Sequence, residues 1–208
     1  MNPFSVWLER FANLVSVPAA WGIFVTGAVI YLITAWRIRF LALIVQYIFI
    51  GVLFARIFDQ RPEMAMMKTL VGWLVSGALL LSAQIRARAL KSQQSKHMMQ
   101  WAVNLPFRII SLLTVTVIAR LASQKYTLPY VSADLGLSCF LLTVLAILYM
   151  GTEEDPGVVG VGVLNILAAL DIFYLAQDPG LMVSGLLVGV SLLVGLAFSY
   201  LTVTEVPA

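Results

Sequence analysis

Between Pro18 and Val203 the chain passes through seven apolar runs, each about 18–22 residues long and broken only by short polar connections. Nothing else in the sequence limits the fold as strongly. Runs of this length cross a bilayer, and in hydrocarbon every backbone N–H and C=O must find its partner within the segment, so each run is a helix. The expected architecture is all-α: a polytopic integral membrane protein with about seven transmembrane helices. Of the 208 residues 61% are hydrophobic and only 11% charged, with a mean hydropathy of +0.96. A soluble domain devotes about a quarter of its residues to charge.

The runs fall at about Pro18–Trp36, Phe40–Phe58, Lys68–Ile85, Pro106–Ser123, Ser132–Met150, Val158–Ala176 and Leu181–Val203. WRIR reads as a tight basic turn between the first two, and the acidic GTEEDPG turn separates the fifth from the sixth. Before them, NPFSVWLERFANLVSV puts Phe4, Trp7, Leu8, Phe11, Leu14 and Val15 on one helical face, with Asn2 as cap and Pro3 in the first turn. It is short and charged at its middle, which predicts an interfacial helix lying on the membrane. The chain thus divides into an interfacial segment (1–17), three membrane helices (18–86), a basic polar connection (87–105) and four further helices (106–208).

Composition also excludes chemistry. The lone cysteine, Cys139, cannot form an internal disulfide, a structural zinc site or an iron–sulfur cluster, and the lone histidine, His97, lies in a polar connection away from any haem position. No His-Glu-x-x-His, Gly-x-Ser-x-Gly or phosphate-binding loop occurs. The reading is no catalytic residue, no metal and no cofactor. The net charge of +3 belongs to membrane loops rather than to nucleic-acid binding. Seven lysines and arginines fall on one side and six on the other, with the long basic connection favouring the first side as cytoplasmic. No signal peptide is read at the N-terminus.

The residues of interest are the polar ones inside apolar runs. Asp171 lies five residues from the end of its run, roughly 7–8 Å deep, on a face with Gly160, Leu164 and Ala168. A carboxylate there is expensive, which leaves two readings: a proton or ion relay, or a structural aspartate bonded to a neighbouring helix. Asn165 sits about 120° away on the same helix, and Gln46 is in the middle of the second; both read as interhelical glue. Arg120 and Asp134, near helix ends on one predicted side with Arg56 and Lys68, either pair across a cleft or reach the headgroups. Three adjacent acids in the EED turn read as solvated. In the last run Gly185 and Gly189 make a GxxxG spacing, and Ser191, Gly195 and Ser199 repeat small residues every four, so two edges suit close helix packing.

The stretch WRIRFLALIVQYIFIGVLFA resembles the junction of the first two helices in the hydrogenase-4 component E family, with Arg37 and Gln46 at the same spacing. Lys68 resembles a lysine that opens the third helix there. LGLSCFLLTVLAILYM and VVGVGVLNILAALDIFYL are similar to the region of that family related to the K subunit of complex I. In that family an intramembrane glutamate falls near Asn165, and a basic turn stands where this chain has EED. The resemblance implies an accessory membrane subunit of a complex I-like or hydrogenase-like ion-translocating assembly in a bacterial cytoplasmic membrane. Its partners would be other membrane subunits and the lipid bilayer, and its role mainly scaffold with a contribution to a proton path. The rival expectation is an independent carrier or channel with Asp171 as coupling carboxylate and Arg120 or Asp134 as gating charges.

Overall fold

The computed structural model describes residues 16–58, 62–89, 97–126, 131–177 and 180–204. The interfacial segment expected over 1–17 lies, up to residue 15, outside them. The described residues form seven helices: α1 (Ser16–Leu32), α2 (Trp36–Ile57), α3 (Pro62–Ala89), α4 (His97–Lys125), α5 (Ala133–Thr152), α6 (Pro156–Gln177) and α7 (Leu181–Thr204). The chain is an all-α, multi-pass membrane protein: α2 to α7 are each long and apolar enough to span a bilayer. At 17 residues α1 is shorter, about 25 Å, the lower limit of what crosses.

Three boundaries differ from the sequence reading. WRIR is not a turn but the first turn of α2, and the connection is the residues before it, 33–35. The helical position lets the Arg39 side chain fold back, Nε donating to the Ile33 carbonyl at 2.5 Å. Pro106 does not open the fourth helix but lies inside it, since α4 starts at His97. Proline is tolerated within membrane helices, where neighbouring groups can satisfy the freed carbonyl. The third helix likewise starts at Pro62 rather than near Lys68, and the helical ends of α3 and α4 take up most of the expected connection.

The packing makes two layers of three. In one layer α2 lies between α1 and α3; in the other α6 lies between α5 and α7. Across the layers α1 meets α5, α2 meets α6 and α3 meets α7, while α4 closes one edge against α1 and α5. The central pair is therefore the most enclosed, with 61% of the α6 span buried against 11% of α4. The outer faces carry Leu70, Leu74, Leu81, Ile110, Leu113, Leu186 and Leu193, as suits a surface whose solvent is lipid.

Small residues set the close approaches. A Cβ at Gly72 would overlap the Tyr47 ring, one at Gly160 the Phe198 side chain, and one at Gly195 the Val75 side chain. Gly195 thus fits α7 to α3, while Gly185 and Gly189 meet nothing within 4 Å inside the chain. Gly195→Val is expected to destabilise by about 1–3 kcal/mol through overpacking. Gly189→Ala is expected to stay within about 0.5 kcal/mol of the parent, like other substitutions away from packed sites. Unfolding midpoints in one detergent compare them, and a marked fall for Gly189→Ala would mean that a helix from another chain rests on that edge.

Candidate functional site

Four polar residues of the apolar runs, Gln46, Lys68, Asn165 and Asp171, meet between α2, α3 and α6. Lys68, two turns into α3, and Asp171, two turns before the end of α6, form an ion pair with Nζ 2.6 Å from Oδ2. Their side chains are only 4% and 5% exposed. The ammonium also stands 5.7 Å from the centre of the Phe54 ring, within cation–π range. Lysine suits this position because its four-carbon stem packs along apolar surface while its head reaches sideways.

The pair is incompletely satisfied. Asp171 Oδ1 is buried and bonds to no other described residue. The Asp171 residue borders a small cavity with Tyr47, Leu164, Val188 and Ser191, about 20 Å³ in volume. That volume is enough for one water.

Some 9 Å further along α6, by helical rise, lies the second pair. Gln46 Nε2 donates to Asn165 Oδ1 at 3.3 Å, and both side chains are fully buried. Gln46 Oε1 and Asn165 Nδ2 are left without partners among the described residues. Swapping the amide orientations at both residues reverses the bond but leaves one donor and one acceptor over. Neither amide takes up a proton near neutral pH.

Comparison with protein-family models, with curated proteins and with solved structures finds no match.

At the opposite end of the bundle, the acidic turn departs from its expected solvated state. Glu153 Oε1 accepts from Arg39 on α2 and from Arg108 on α4, each at 2.8 Å. Asp155 Oδ1 accepts from Arg86 on α3 at 2.7 Å and from the Gly157 backbone N–H at 3.1 Å. Asp155 thus caps α6, with Pro156 in the first helical position. Arg108 also donates to the Tyr31 carbonyl at 2.8 Å and lies 5.5 Å from the centre of that ring. The α5–α6 turn therefore ties α2, α3 and α4 to the second layer. Sequence reasoning missed this clasp, although a signal existed: the acidic turn falls on the same side as Arg39, Arg86 and Arg108.

The remaining candidates, Arg120 and Asp134, line one cleft without pairing to each other. Asp134 Oδ2 lies 3.8 Å from Arg56 Nη1, at the limit of an ion pair. Arg120 forms no ion pair among the described residues. Cys139 is buried, its thiol 3.5 Å from the Ala169 carbonyl. Among the described residues no three His, Cys, Asp or Glu side chains cluster as metal ligands.

Proposed function

We propose that this chain is an accessory membrane subunit of a larger ion-translocating assembly, complex I-like or hydrogenase-like, in a bacterial cytoplasmic membrane. The observation that carries the reading is the buried Lys68–Asp171 pair, which borders a one-water cavity and leaves one carboxylate oxygen without a partner among the described residues. A charge pair inside a membrane is costly and adds little net stability over an apolar pair, so a functional reason for keeping it is sought first. Protonation of the carboxylate would cancel its charge and release the ammonium; loss of the proton would restore the pair. The Gln46–Asn165 pair offers hydrogen bonds but no titrating group, so the chain's larger contribution is packing surface, with the ion pair as its share of a proton path. The resemblance supports the same reading through two of its three marker residues, Gln46 and Lys68, which belong to this centre, whereas Arg37 lies over the Trp36 ring and Asn165 stands where that family has a glutamate.

The test uses the tagged chain in its native membrane, extracted in mild detergent. Stoichiometric antiporter-like or redox subunits are expected to stay bound. The double variant Lys68→Met/Asp171→Leu is expected to keep that stoichiometry while lowering coupled proton movement. Undiminished proton movement in the double variant would make the pair purely structural. Recovery of the chain without partners, together with ion flux in liposomes holding this chain alone, would favour the carrier reading.

A further inference from the structure

A separate cleft, open to the membrane side, lies between α1, α4 and α5, where α4 closes the edge of the two layers. Its volume is about 580 Å³, within the roughly 300–1,000 Å³ of small-molecule sites. The wall is apolar, built from Trp21, Phe24, Val117, Leu121, Leu137 and Leu141. The charged groups Arg120 and Asp134 stand at one end of it.

The helix ends set the level of each group. Arg120 is five residues before the end of α4, Asp134 is the second residue of α5, and Trp21 is five residues into α1. All three are within about 8 Å of helix ends at the same face of the bundle. Leu141 and Thr116 carry the cleft about 12–14 Å from that face. The cleft therefore has a charged mouth at interfacial depth and an apolar floor in the hydrocarbon, the polarity profile of a phospholipid. Trp21 lies against Phe24 edge to face, with ring centres 5.9 Å apart, and an interfacial indole suits the boundary between headgroup and chain.

The charges narrow the headgroup. Arg120 is exposed and has no ion-pair partner among the described residues, leaving a planar fork of donors suited to a phosphate. Asp134 is 39% exposed and held only loosely by Arg56, leaving an acceptor for a cation. An anionic lipid would satisfy the arginine but offer nothing to the aspartate, whose nearest cation, Arg56, stands at 3.8 Å. A phosphoethanolamine headgroup answers both, with its phosphate on Arg120 and its ammonium donating to Asp134. We infer that this cleft is a binding site for one zwitterionic phospholipid with an ethanolamine headgroup, its acyl chains lying on α1, α4 and α5.

The test is native mass spectrometry of the full chain through graded delipidation, followed by rebinding of phosphatidylethanolamine or phosphatidylglycerol from mixed micelles. The parent is expected to keep one phosphatidylethanolamine longest and to rebind it in preference. Arg120→Gln is expected to weaken rebinding about tenfold or more, the equivalent of one charge-assisted hydrogen bond. Asp134→Asn is expected to shift preference toward phosphatidylglycerol, because it removes the anion that holds the ethanolamine ammonium. Val117→Trp, which fills the cleft, is expected to abolish retention; it sits on an exposed face and guards against a misfolded arginine variant. Equal retention of both lipids by the parent, undiminished binding in Arg120→Gln and Val117→Trp, or protection of the cleft by a co-purifying protein chain would overturn the assignment.

Discussion

Lys68→Met is expected to destabilise the bundle by about 3–5 kcal/mol, the usual consequence of removing one partner from a buried ion pair. The Asp171 carboxylate would be left buried with neither oxygen bonded to a described residue, since Oδ1 already lacks a partner and Oδ2 depends on Lys68. Asp171→Leu is expected to be similarly severe, because it strands the ammonium beside the Phe54 ring. The double variant should recover most of the loss, as methionine and leucine approximate the two side-chain shapes without charge, and such replacements are often neutral or stabilising. A double-mutant cycle from reversible unfolding in mixed detergent measures the coupling directly. Near-neutral single variants would mean that water reaches the pair freely and that the pair contributes little to stability. The size is large against the roughly 5–15 kcal/mol total stability of a folded domain.

Glu153→Gln is expected to have the second-largest effect, about 3 kcal/mol, the low end of the buried-pair range because the carboxylate is 15% exposed. One oxygen holds two guanidinium groups, and the Arg39 side chain is only 7% exposed. Neutralising the acid leaves two like charges together with no anion between them. Glu154→Gln, one residue on and exposed, is expected to change stability by less than about 0.5 kcal/mol. The same unfolding assay compares the two. Equal effects would show that the turn acts through net charge and that the individual ion pairs contribute little.

The number and type of the elements were legible in the sequence because they are local properties. A helix satisfies its backbone within its own segment, so a long apolar run declares a membrane helix wherever it is later packed. The polar residues Gln46, Lys68, Asn165 and Asp171 were legible for the same reason, standing out against apolar neighbours. Helix ends were less so: Pro106 and WRIR carry signals that also occur inside helices, and the contacts of Arg39 with Ile33 and Glu153 across the start of α2 are made only in the folded chain.

Pairing was not legible. Lys68 and Asp171 are 103 residues apart, and Gln46 and Asn165 are 119 apart. Which side chains meet depends on α2 facing α6 across the layers and on the rotation of each helix about its axis. Those rotations follow from how Gly72 receives Tyr47, Gly160 receives Phe198 and Gly195 receives Val75. In a bilayer no hydrophobic drive separates one apolar face from another, so such packing decides between otherwise equivalent faces. The sequence by itself therefore determined that this protein is a bundle of membrane helices with a few buried polar groups. Only the tertiary structure decided that those groups form an ion pair and an amide pair at its centre, and that the acidic turn clasps three arginines at its end.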